Sequence, residues 1–211
     1  QVATPQLAGS NWAAGTPLGT GRLAGLSAGL GLNGYTTIAV GEGGQIFSAV
    51  TGQATTTPTN PAAPAHLNGI AFAGVGWVAA GDNGTLLFTQ DGTTSPTTQP
   101  LHAAAVGSAA YVVVGAAGTI LTSVDSTIWE PRASGTSADL RGTAYGALTT
   151  TVDGVTAITN MYVAVGAGGV ILRSTDATTW TAQVSPTTNA LLAVTYGTQF
   201  VAVGKAGTIL T

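Results

Sequence analysis

One short pattern recurs five times along this chain, and a fold must accommodate all five copies. The segment Tyr162-Val163-Ala164-Val165-Gly166 returns as Phe200-Val201-Ala202-Val203-Gly204, Tyr111-Val112-Val113-Val114-Gly115, Trp77-Val78-Ala79-Ala80-Gly81 and, less closely, Thr37-Ile38-Ala39-Val40-Gly41. After two intervening residues each is followed by a second Gly and an apolar run, as in Gly118-Thr119-Ile120-Leu121 and Gly207-Thr208-Ile209-Leu210. The first Gly of each pair falls at 41, 81, 115, 166 and 204. The mean period is therefore about 41 residues, the length of one supersecondary unit that buries its apolar faces by stacking on its neighbours.

Each unit reads as four short strands. The two glycines lie between β-branched runs, the signature of a tight hairpin whose turn needs positive φ. Upstream lies a further apolar segment, beginning at Leu23, Leu67, Leu101, Leu140 and Leu191, whose third residue is always Gly or Ala. A small residue there suits innermost strands that converge on a narrow channel, where backbones approach closely. No window shows a capped helical period. The expected fold is all-β, a single five-bladed β-propeller over residues 1–211 with four-stranded antiparallel blades. The longest spacing, from Gly115 to Gly166, predicts an extended hairpin inserted around residues 147–160.

Beyond the hairpin stands the most specific motif. Ser123-Val124-Asp125-Ser126-Thr127-Ile128-Trp129 and Ser174-Thr175-Asp176-Ala177-Thr178-Thr179-Trp180 both read S-x-D-x-x-x-W, and the segment around Asp91 is a copy without the Trp. These residues resemble the Asp-box, or BNR, repeat of sialidases and related propellers. With V-A-V-G before it, the whole unit looks more like the repeats of the photosystem II assembly factor family and its bacterial surface relatives. The resemblance implies that the box is a turn before the outer strand. Its Asp (Asp91, Asp125, Asp176) and Ser (Ser123, Ser174) would cap backbone N–H groups, and its Trp (Trp129, Trp180) would pack under the blade. The fifth copy stops at Thr211, where its box should begin, while Ser10-Asn11-Trp12 offers the missing Trp. Residues 1–17 are therefore expected to complete the last blade, closing the ring by pairing with the C-terminal strands.

Composition excludes several functions. Only 6% of residues are charged, against roughly 25% in ordinary soluble domains. With five cationic residues, Arg22, Arg132, Arg141, Arg173 and Lys205, the chain lacks the basic footprint that nucleic acid requires. No apolar run is long enough to span a bilayer, and no Cys is present for thiolate chemistry. The chain starts with Gln1 and its single Met is Met161, so the N-terminus reads as a cut end. Together with scarce Lys and Glu and abundant Thr, this suggests an exported protein, extracellular or at the cell surface.

Catalysis finds little support. The Arg residues fall at unrelated repeat positions, unlike the carboxylate-binding Arg cluster of sialidases. Glycosidases need two carboxylates roughly 5 to 9 Å apart. Once box residues are set aside, only Glu42, Asp82, Glu130, Asp139 and Asp153 remain. His66 and His102 could both approach the channel mouth, yet the rest of a metal-ligand set is missing. No cofactor or metal is expected. The better candidate is a ring of variable residues around the channel: Glu42, Asp82, Asn83 and Lys205 from the hairpins, and Asn68, His102 and Arg141 from the second position of the inner strands. These side chains break a monotony of Ala, Gly and Thr, although a solvated rim would show the same variety. The expected function is a non-catalytic binding module for a protein or a glycan. The alternative is a structural subunit of an extracellular polymer or larger surface protein, with self-association, and a glycoside-acting enzyme comes last.

Overall fold

All five of the expected Leu residues begin a strand. A computed structural model describes residues 22–31, 34–50, 65–72, 77–88, 91–93, 97–152 and 155–211. Sheet I contains β1 (Leu23–Gly31), β2 (Gly34–Gly41) and β3 (Ile46–Val50). Sheet II contains β4 (Leu67–Phe72), β5 (Trp77–Gly81), β6 (Leu86–Phe88) and β7 (Asp91–Thr93). Sheet III follows with β8 (Leu101–Val106), β9 (Tyr111–Gly115), β10 (Ile120–Ser123) and β11 (Glu130–Arg132). Sheet IV holds β12 (Leu140–Val152), β13 (Val155–Gly166), β14 (Ile171–Ser174) and β15 (Thr181–Gln183). Sheet V holds β16 (Leu191–Tyr196), β17 (Phe200–Gly204) and β18 (Ile209–Leu210). Every sheet is antiparallel with its strands in chain order, and no α-helix occurs among the described residues. The inserted hairpin is present, with β12 and β13 paired out to Val152 opposite Val155.

The connection is the positive-φ turn that its spacing predicts, but the two glycines serve it in different ways. In every sheet both central residues have positive φ, as at Asn83 (54°) and Gly84 (71°) or Ala117 (52°) and Gly118 (70°), and the next N–H bonds back across the turn, Thr85 to the carbonyl of Asp82 at 3.0 Å. The first Gly has extended backbone, so positive φ is not its reason. A Cβ on Gly41, Gly81, Gly115, Gly166 or Gly204 would lie 2.1 to 2.4 Å from the carbonyl oxygen of the residue preceding the inner strand. That same oxygen accepts a hydrogen bond from the next N–H, as in Asp82 to His66 at 2.9 Å and Ala167 to Asp139 at 2.8 Å. Close approach demands the first Gly; only the second, with φ of 69° to 75°, serves handedness.

Neighbouring sheets interlock through two unlike faces. The forward face of sheet III presents Val112, Val114 and Ile120, and these pack on Leu140, Tyr162, Ala164, Leu172 and Trp180 of sheet IV. The same division holds between II and III, I and II, and IV and V. β-branched side chains suit the forward side because they are stiff and fit a pleated surface. Inner strands touch through their backbones: a Cβ on Gly69 would meet the Cα of Ala103 at 2.8 Å, and one on Gly142 the Cα of Ala193 at 2.9 Å. The small third residue thus has the role expected of it. Polar bonds also cross the joint. Tyr162, fully buried, accepts from the N–H of Ala110 at 2.9 Å and donates to the carbonyl of Ala110 at 3.0 Å.

Both Trp-containing boxes form the expected turn. Asp125 Oδ1 accepts from the N–H groups of Thr127 and Ile128 at 2.8 and 3.0 Å, and from Ser123 Oγ at 3.0 Å. Asp176 does the same with Thr178, Thr179 and Ser174 at 2.8, 2.7 and 2.9 Å. Each Trp is buried and ties its indole N–H to the turn, Trp129 to the carbonyl of Ser126 and Trp180 to that of Ala177. Asp91 opens β7, paired with Phe88 in the strand register.

The packing runs in series: β1 against β4, β4 against β8, β8 against β12 and β12 against β16. The ring is expected to close, yet no comparable packing of β16 on β1 exists among the described residues. Leu23 is 44% exposed, whereas Leu67, Leu101, Leu140 and Leu191 are at most 1% exposed. The proposed outer strand over residues 1–17, with Trp12, lies outside the described residues.

Two outcomes follow. Tyr162→Phe strands two buried backbone groups and should lower stability by about 1 to 3 kcal/mol in equilibrium urea unfolding. Backbone N–H bonds hold Asp125 well below the usual carboxylate range and lower Asp176 from 3.8 to about 2. Because the folded form binds protons more weakly, this stability is complete above about pH 4 and is lost as pH falls towards about 2. Urea midpoints measured across that window should drop for the natural chain and flatten for Asp125→Asn with Asp176→Asn.

Candidate functional site

Each inner strand carries a β-bulge at the same place. In all five sheets the register skips one residue after the opening Leu: between Leu23 and Gly25, Leu67 and Gly69, Leu101 and Ala103, Leu140 and Gly142, and Leu191 and Ala193. The skipped residue has no cross-strand partner, and bulges commonly re-aim a side chain at a functional rim. The five bulge residues are Ala24, Asn68, His102, Arg141 and Leu192. They stand beside these turns, at the end of the sheets where the turn N–H groups are sealed to the inner-strand entries.

Three expected site residues meet in one cleft. It has a volume of about 260 Å³ and is lined by Arg22, Glu42, His66, Asn68 and Asp82, with Ala24 and Leu67. Asn68 donates to Asp82 Oδ1 at 2.8 Å and to the carbonyl of Leu101 at 2.9 Å, so its amide links sheets II and III. Glu42 Oε2 accepts the Arg22 N–H at 3.2 Å. His66 Nδ1 accepts from Gly43 at 3.1 Å, which leaves Nε2–H as a donor for something else.

A second group forms around His102 and Arg141. Arg141 pairs with Asp139 at 3.3 Å, with both side chains part-exposed. Asp139 Oδ1 also accepts from Ala117 N–H at 3.1 Å, repeating between sheets III and IV the role of His66 between I and II. Burial pushes the His102 imidazole below its ordinary value of 6.5. The Arg141 guanidinium pushes the same way, against the Asp139 and Asp82 carboxylates. His102 Nε2 is enclosed and makes no hydrogen bond. Such an orphan is costly.

Asn83 and Lys205 are exposed on their turns, outside the cleft. Arg22, His66 and Asp139 join the site through a signal that the sequence holds, since each immediately precedes an inner-strand Leu. Glu130 turns away on β11 to pair with Arg132, and Asp153 lies outside the described residues. No group of three or more His, Asp or Glu able to hold a metal occurs among the described residues. No helix there is long and apolar enough to cross a membrane.

No protein-family model and no curated protein sequence matches the chain. Solved structures do. The fold is similar to that of YCF48, a photosystem II assembly factor and Asp-box β-propeller. YCF48 bound to D1 peptide superposes with a TM-score of 0.61 at 16% identity, over 90% of this chain and 62% of that one. YCF48 from Cyanidioschyzon merolae gives 0.58 at 13% identity, over 90% of this chain and 66% of that one. The chain thus spans less than two thirds of either solved protein.

The coupling between His102 and Arg141 is measurable. In an NMR titration of the imidazole signals, His102 should titrate below 6.5. Arg141→Ala should move its midpoint upward, and an unmoved midpoint would show that the two side chains do not share this rim.

Proposed function

We propose that this chain is a non-catalytic protein-interaction module, a five-bladed Asp-box propeller that holds an extended peptide segment of a partner across the rim of bulge residues. The observation that carries this reading is the variation at the five bulges. Ala24, Asn68, His102, Arg141 and Leu192 all differ, while the Leu before them and the Gly or Ala after them repeat. A position whose side chain is released from the strand register and differs in every copy is where a repeat protein can vary contacts without disturbing its core.

The chemistry of the rim suits a peptide. An extended backbone offers alternating carbonyls and N–H groups, and the rim offers both kinds of partner: Arg141 and His66 as donors, Glu42 and Asp82 as acceptors. The surface ion pair of Arg141 with Asp139 is of the kind worth little in water, so Arg141 is readily redirected to a ligand carboxylate or carbonyl. YCF48 is seen with a peptide bound, which supports this reading by fold alone. The scarcity of charge and the many Thr residues support an extracellular or cell-surface setting.

Selection from a displayed random-peptide library, with a glycan array run on the same preparation, tests the reading. Selected peptides should bind saturably, and His102→Ala or Arg141→Ala should each weaken them by about tenfold, or ~1.4 kcal/mol. Lys205→Ala, outside the cleft, should change little. Glycan binding alone, or peptides indifferent to both rim substitutions, would overturn it.

A further inference from the structure

The residue that opens each turn changes charge from sheet to sheet. It is Glu42 in sheet I, Asp82 in sheet II, Ala116 and Ala167 in sheets III and IV, and Lys205 in sheet V. The two carboxylates therefore fall on neighbouring sheets, and both line the cleft between them. Their backbones are pinned, since the N–H of Glu42 donates to the carbonyl of Arg22 and that of Asp82 to the carbonyl of His66, each at 2.9 Å. Ala24, the smallest of the five bulge residues, lines the same cleft and leaves room in it.

The negative charge of this cleft is not balanced from within. Glu42 Oε2 takes the backbone N–H of Arg22, and Asp82 Oδ1 takes the neutral amide of Asn68. Neither carboxylate forms an ion pair; among the described residues the side-chain ion pairs are Arg132 with Glu130 and Arg141 with Asp139. Glu42 and Asp82 outnumber Arg22 among the charged walls. A metal ion does not fit, because no three His, Asp or Glu converge among the described residues. An organic cation does, since an ammonium or guanidinium carries several N–H donors that two carboxylates on different sheets can share.

Size narrows the choice. The cleft, at about 260 Å³, is smaller than the roughly 300 to 1,000 Å³ of sites that enclose a whole small molecule. It suits one long side chain. We infer that the cleft between sheets I and II receives a lysine or arginine side chain of the bound peptide, an assignment that rests on the peptide-binding reading above. With Arg141 and His102 on sheets IV and III, the peptide then has a fixed direction: its cation lies towards sheets I and II, and its acceptors towards sheets III and IV.

Peptides selected on the natural chain and measured by fluorescence anisotropy test this. They should share one Lys or Arg. Replacing it by Gln should weaken binding about fivefold, the upper end for a part-exposed ion pair. Glu42→Gln and Asp82→Asn should each weaken the parent peptide similarly and leave the Gln peptide unaffected; Asn at 82 can still accept from Asn68, so the sheet link survives. Ala24→Leu fills the cleft without touching a charge and should show the same selectivity. A selection repeated on Glu42→Lys with Asp82→Asn should exchange the shared cation for Asp or Glu, a switch that a merely structural role would not produce. Peptides that depend on His102 and Arg141 but share no cation would overturn this inference and leave the peptide-binding reading standing. So would a shared cation indifferent to Glu42 and Asp82. A library that yields no binder at all defeats both.

Discussion

The molecule depends on how closely one turn approaches the start of its own inner strand. In every copy the N–H that opens the turn donates to the carbonyl just before the inner strand, at 2.8 to 2.9 Å. The preceding Gly sits so near that oxygen that no other residue fits without moving the backbone. One such bond contributes about 0.5 to 1.5 kcal/mol. Its larger effect is geometric, because it fixes where the inner strand begins relative to the second strand. The bulge follows at the next residue, and with it the position of every side chain that reaches the rim.

Stacking is the second level, and it needs almost no charge. Forward Val and Ile meet backward Leu, Ala and aromatic side chains at each joint, and the apolar area removed from water supplies the driving force. Direction comes from polar details laid over this pattern. Tyr162 reaches across one joint to both backbone groups of Ala110, and Asn68 reaches across another to Leu101. A sheet slipped by one residue would lose these bonds and turn its apolar set to the wrong face.

The inner strands were the most legible part of the sequence, since each of the five copies sets a Leu two residues before a Gly or Ala upstream of its repeated apolar run. The two Asp-boxes were equally plain, because their Asp and Trp act within one turn and need no distant partner. What escaped the sequence depended on distance. The first Gly of each pair looked like a turn residue, and only its neighbour across space shows that it is there for close approach. Asp139 acts through a sheet other than its own, bonding the N–H of Ala117, so its place beside Arg141 appeared only once neighbouring sheets were set side by side.

The bulge positions show where a repetitive scaffold is free to vary. Backbone bonds and apolar joints use nearly every residue of the repeat, and a change at any of those positions would be felt in stability. The bulge residue has no cross-strand partner and contributes little to either level, so it is free to differ. The freedom is not complete: Asn68 has been drawn into a sheet-to-sheet link and carries Asp82 with it. His102 and Arg141 have not, and they lie between a small Ala24 on one side of the series and an apolar Leu192 on the other. The rim is therefore polar in the middle and bland at its ends. A partner that fits it must be asymmetric too, with its polar groups grouped together rather than repeated at the spacing of the sheets.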